Sequence, residues 1–136
     1  MSLVLGAITN NYVLFCSDQR ASDKEGVRCE NYKKIIKIND TCMIGFAGNI
    51  KDLVTPLEGI LTFDRNDNER ASTVDTITHK SYEEIVSKFT EQFEYSSKNV
   101  FSRDSICNVM FGGLSDEKVI MDVTTCINFK VQKKAL

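Results

Sequence analysis

Residues 3–47 hold four short apolar runs dense in β-formers, and the runs fall in two pairs. Leu3 to Ile8 and Tyr12 to Cys16 flank Asn10-Asn11, while Ile35 to Ile38 and Cys42 to Ala47 flank Asn39-Asp40. Asn and Asp accept the positive φ of a tight turn, so each pair reads as a β-hairpin. Continuous runs such as Val13-Leu14-Phe15-Cys16 suit strands buried on both faces. The polar residues 17–33 between the hairpins read as a loop with an irregular strand.

The pattern then changes period. Gly48 ends the second hairpin, and Asn49 follows as a helix N-cap with Asp52 in the first turn. Ile50, Leu53, Val54, Leu57, Ile60 and Leu61 share one helical face, with Pro56 inside it as a kink or a restart. Residues 64–80 read as a loop or a frayed helix end. Ser81-Tyr82-Glu83-Glu84 is a capping box, and Tyr82, Ile85, Val86, Phe89 and Phe93 predict a helix over 82–97. Ile106 to Phe111 and Val119 to Val123 form a third strand pair around residues 114–117, and 124–136 adds one more strand. Strands, two helices, then strands predicts an α+β fold with helices stacked on sheet rather than a doubly wound one. No repeat, linker or low-complexity tract divides the chain, so residues 1–136 read as one domain.

Composition narrows the function. A formal net charge of −2 gives no electrostatic reason to expect nucleic acid. The apolar runs are too short for a membrane span, and the N-terminus lacks the pattern of a signal peptide. The five cysteines are widely spaced without a CxxC pair, which argues against disulfide and zinc frameworks and for a cytoplasmic protein. Cys16, Cys42 and Cys107 read as small core residues, and Cys29, in a polar loop, as the likelier target of oxidation. His79 is the one histidine and reads as a surface residue. No metal or cofactor is implied.

Four residues near the hairpins can carry chemistry together. Ser2 stands behind a removable Met1. A terminal Ser offers a hydroxyl nucleophile and an α-amine whose ordinary pKa of about 7.7–8.0 suits general-base work. Such a site needs a nearby cation to lower those pKa values, an acid to orient the cation and a backbone N–H for the oxyanion. Lys34, Asp18 and Gly48 can fill those roles if the two hairpins pair in one sheet. A plainer reading stands beside this one. Met-Ser-Leu is a frequent vector-derived start, Asp18 with Lys34 can be a structural bridge, and Gly45 and Gly48 can serve packing and a turn.

The segment from Ser2 to Asn49 resembles the N-terminal part of proteasome β-type subunits, and of the bacterial HslV peptidase in particular. The resemblance rests on Leu3-Val4-Leu5-Gly6, residues 12–22 (YVLFCSDQRAS), Asn31-Tyr32-Lys33-Lys34-Ile35 and Gly45-Phe46-Ala47-Gly48. It implies an N-terminal nucleophile hydrolase with an αββα sandwich, which hydrolyses peptide bonds without a cofactor. It sets Ser2 at the family's nucleophilic threonine, Asp18 at its buried aspartate, Lys34 at its catalytic lysine and Gly48 at its oxyanion-hole glycine. Ser22 and Phe46 fall at positions lining the substrate channel and its first specificity pocket. The implied partners are a peptide or protein substrate and further copies of the chain in a homo-oligomer, with neither nucleic acid nor membrane.

Two features depart from that pattern. Serine replaces threonine and lacks the methyl group that helps fix the hydroxyl rotamer. The family's Gly-Ser-Gly motif, later helices and closing strands have no counterpart after residue 123, so the chain reads as shortened at its C-terminal side. The rival expectation is therefore a non-catalytic protein of the same fold, which acts by self-association or partner binding.

Overall fold

The computed structural model describes residues 3–19, 21–23, 26–29, 32–63 and 71–136, with the backbone alone for 21–23, 26–29, 50, 63, 71 and 72. Strands β1 (Val4–Ile8) and β2 (Val13–Ser17) pair antiparallel as a separate two-stranded sheet. Strands β3 (Ala21–Asp23) and β4 (Gly26–Cys29) form a second small ribbon. The larger sheet is built from β5 (Ile35–Asn39), β6 (Cys42–Gly48), β9 (Ile106–Ser115), β10 (Lys118–Ile127) and β11 (Lys130–Ala135). Its order is β11-β10-β9-β6-β5, antiparallel throughout. Between β6 and β9 run helix α1 (Ile50–Leu57), the short ribbon β7 (Leu61–Phe63) with β8 (Ala71–Thr73), a 3-10 turn (Asp75–Ile77) and helix α2 (Tyr82–Asn99).

Local chemistry explains the late strands. Asp116 and Glu117 take φ of 48° and 64°, and Asn128 and Phe129 take 51° and 65°. Two consecutive positive-φ residues make the tight turn whose twist suits a hairpin. Helix α2 starts at a complete capping box. The Ser81 side chain accepts from the Glu84 amide, and the Glu84 carboxylate accepts from the Ser81 amide.

The two helices cover one face of the large sheet. Ile44, Phe46, Val109 and Phe111 point there and join Leu53, Leu57, Ile85, Phe89 and Phe93 in the main core. The Phe89 and Phe111 rings lie 5.1 Å apart, which closes helix onto sheet. The β1–β2 sheet lies on the opposite face. A Cβ on Gly45 would come within 2.9 Å of Val4 Cγ1, and one on Gly112 within 2.7 Å of Val13 Cγ1. Glycine at these two points lets the sheets approach closely. The layers are therefore helices, a five-stranded sheet and a two-stranded sheet.

Several expectations change. The two early hairpins do not pair in one sheet; they stack face to face. The run Val13-Leu14-Phe15-Cys16 is not buried on both faces. Val13 and Phe15 face the large sheet, while Leu14 is 60% exposed and Cys16 is exposed with it. Cys16 is thus a surface thiol, whereas Cys42 and Cys107 are buried as expected. The helix over Ile50–Leu61 stops at Leu57, one residue past Pro56, and Leu61 already belongs to a strand. Part of the expected loop 64–80 pairs instead, because Ala71–Thr73 closes on Leu61–Phe63. No described helix is long and apolar enough to cross a membrane.

Candidate functional site

Strand β2 ends at Ser17, and Asp18 follows it directly. Strand β5 begins at Ile35, and Lys34 precedes it directly. The stacking of the two sheets brings these strand ends together, so that Lys34 Nζ donates to Asp18 Oδ1 at 2.8 Å. The same oxygen accepts the Leu3 amide at 3.1 Å. The Asp18 amide donates in turn to the Leu3 carbonyl at 3.3 Å. The Lys34 side chain is 0% exposed and that of Asp18 38%, so a buried ammonium meets a carboxylate that reaches solvent. A cation in such a position acts strongly on its neighbours, because little water screens it.

Lys34 is held by its backbone as well. Its carbonyl accepts the Phe46 amide at 2.9 Å, which zips the start of β5 to the end of β6. N–H groups alternate sides along an antiparallel strand. Phe46 N–H points to β5, and Asn49 N–H points the other way to the Ile106 carbonyl at 2.9 Å. Gly48 N–H therefore faces the β5 side of β6, where Lys34 lies. Gly48 has φ of 110°, and a Cβ there would stand 2.1 Å from the Ile106 carbonyl oxygen. Only glycine fits that position, whatever chemistry its amide performs.

The remaining expected residues separate. Phe46 is fully buried beneath the helices, with its ring edge-to-face to Tyr32 at a centroid distance of 6.4 Å. Ser22 lies in β3, opposite Val27, with its backbone alone described. Ser2 lies outside the described residues. Asp18, Lys34 and Leu3 are thus brought together, with Gly48 at the same end of the sheet stack. His79 is exposed. Among the described residues no group of three His, Cys, Asp or Glu side chains gathers as metal ligands would.

A cavity of about 380 Å³ lies between the sheets at their turn end, lined by Tyr12, Asn39, Met43 and Leu114 among others. It reaches Ile35, the residue after Lys34, but Asp18, Lys34 and Gly48 do not line it.

The residues missed from sequence lie where β6 hands over to α1. Ser105 Oγ hydrogen-bonds Asp52 Oδ2, and Ser102 Oγ lies 2.9 Å from Ser105 Oγ. Asp52 and Ser105 are 53 positions apart, so no short-range spacing marked the contact. Cys107, next to this cluster, has its thiol pushed up to about 12, first by burial and then by the Asp52 charge.

A family model described as Proteasome subunit matches residues 2–121. No curated protein matches the chain closely enough to count as a relative.

Proposed function

The chain belongs to the proteasome subunit family, and on that premise we propose that it is a peptide-bond-hydrolysing subunit with Ser2 as its N-terminal nucleophile. The observation that carries the reading is the carboxylate of Asp18, which accepts both the buried Lys34 ammonium and the amide of Leu3. Leu3 is joined to Ser2 by one peptide bond, so this tether supports a chain start beside the cation. The helix, sheet, sheet layering matches three of the four layers of an αββα sandwich of the N-terminal nucleophile type, with no described helix on the outer face of β1–β2, and the text of residues 2–49 supports its HslV-like form.

Removal of Met1 frees the Ser2 amine. That amine takes the proton from the Ser2 hydroxyl as Oγ attacks the scissile carbonyl carbon. The oxyanion is received by the Gly48 N–H. Collapse expels the leaving amine, which takes the proton back from the Ser2 ammonium, and leaves an ester on Oγ. Water then attacks the ester, with the amine again as base, and restores Ser2. Lys34 lowers the pKa values of amine and hydroxyl through its charge, and Asp18 orients Lys34. Ser22 shapes substrate contact in this reading, Phe46 acts only from behind the pocket wall because it is fully buried, and the substrate is a peptide or unfolded protein segment.

Intact mass after processing by a methionine aminopeptidase tests the premise, followed by exposure to an acylating β-lactone. Loss of Met1 and one adduct mapped to Ser2 support the reading. A terminus that keeps Met1, or an adduct that persists in Ser2→Ala, contradicts it.

The exposed outer face of β1–β2 favours a second reading, a non-catalytic subunit that acts through association. Leu3 and Leu5 are each 56% exposed there beside Leu14. Apolar residues grouped on one sheet face mark an interaction surface. Light scattering tests it: assembly in the wild type and a monomer in Leu14→Lys support association, and a wild-type monomer opposes it.

A further inference from the structure

We infer that Asp52 and Ser105 are positioning residues for the Gly48 amide, an inference that rests on the proposed peptidase reading of that amide. The chain turns sharply where β6 ends. Gly48 holds φ of 110°, and α1 starts two residues later at Ile50. A glycine has no torsional preference strong enough to keep itself there. Its orientation depends on what clamps the residues after it.

Two clamps join this turn to the start of β9. One is backbone, from the Asn49 amide to the Ile106 carbonyl at 2.9 Å. The other is side chain, from Ser105 Oγ to Asp52 Oδ2. The Asn49 side chain makes no capping bond, although Asn49 is the N-cap of α1. Asp52, in the first turn, therefore fastens the helix start to the β9 side. Ser105 is 1% exposed and has one hydroxyl proton, which goes to Asp52; Ser102 then donates to Ser105. A charge-assisted bond to a buried hydroxyl is among the stronger polar contacts. Without it the end of β6 is held to β9 less firmly, and the Gly48 N–H, which belongs to the last peptide of β6, shifts with that strand end. An oxyanion donor tolerates an error of only about 10–20°.

Asp52 also favours the helix N-terminus by its charge. Ser105→Ala leaves that charge in place and so isolates the clamp. Asp52→Asn keeps the side-chain shape and weakens the acceptor, and it serves where Ser105→Ala fails to fold. Ile77→Val, in the core near the start of α2, supplies a control with a similar loss of melting temperature.

The experiment reads two quantities from each variant. One is the amide signal and hydrogen exchange of Gly48 in 15N-glycine-labelled protein. The other is kcat and KM for a short fluorogenic peptide. In Ser105→Ala the Gly48 signal moves, its exchange quickens, and kcat falls about tenfold with KM within about twofold. Ile77→Val changes none of these. A Gly48 signal unmoved in Ser105→Ala and Asp52→Asn, or moved equally in Ile77→Val, overturns the inference. A wild type that hydrolyses nothing while Gly48 still responds to the clamp sinks the peptidase reading and leaves the positioning role standing.

Discussion

Lys34 and Asp18 flank strands of different sheets, yet Lys34 Nζ lies 2.8 Å from Asp18 Oδ1. The contact is a consequence of stacking, not of pairing. It ties the end of the β1–β2 hairpin to the start of the second hairpin, and the Leu3 amide shares its carboxylate oxygen.

The pair is asymmetric, and so are its variants. Removing the carboxylate from a fully buried ammonium leaves charge where water cannot reach it. Removing the ammonium leaves an aspartate that is already 38% exposed and can be solvated. Asp18→Asn is expected to cost about 2–4 kcal/mol and Lys34→Met about 1 kcal/mol, discounted from fully buried pairs for the exposure of Asp18. Urea denaturation of both variants checks the order.

Gly48→Ala combines an unfavourable φ with a collision against the Ile106 carbonyl. The strain amounts to roughly 1–3 kcal/mol, and relief requires the end of β6 to part from β9. Thermal melts should show that loss, and exchange of the Asn49 amide should quicken because its bond to Ile106 is the first to open.

The capping box of α2 gives a pH dependence with a definite sign. The Ser81 amide and hydroxyl, and then Lys80, hold the Glu84 carboxyl below its ordinary 4.5. A group lowered on folding stabilises above its unfolded value, and that contribution is lost as pH falls through the folded value. Helix α2 should therefore weaken below about pH 4.5 in the wild type, and this part of the titration should vanish in Glu84→Gln. Ser81→Ala separately removes the N-cap, at a cost of about 1 kcal/mol. Circular dichroism against pH reads both.

The thiols should divide by layer. Cys16 lies on the open face of β1–β2, whereas Cys42 and Cys107 are buried and pushed up to about 12, chiefly by desolvation. Thiolate is the reactive form, so alkylation at pH 8 should modify Cys42 and Cys107 at least about 100-fold more slowly than Cys16. Peptide mapping after timed iodoacetamide treatment checks the ratio.

Much of the fold was legible because local chemistry agrees with the global arrangement. The Asn-rich turns marked the early hairpins, and Ser81 with Glu84 marked the start of α2. The burial of Leu14 and Cys16 was misread because a short apolar run looks the same in a two-sided and a one-sided strand. The helical period through Leu61 concealed β7, since Ile60 and Leu61 are buried whether helix or strand carries them. Asp18, Lys34 and Gly48 were named as a proposed site, but the stacking that joins Asp18 to Lys34 was not legible. Nothing in the spacing announced Asp52 with Ser105, because the long loop and α2 intervene before β9 brings them together.

If Ser2 is the nucleophile, its chemistry depends on the buried Lys34. Hydrolysis of a short fluorogenic peptide by protein that begins at Ser2 measures this directly, with wild type and Lys34→Ala compared at equal folded fraction. Turnover in the wild type that falls at least about 100-fold in Lys34→Ala is the predicted result. Equal rates in the two proteins would contradict the peptidase reading and leave the Asp18–Lys34 pair a structural bridge.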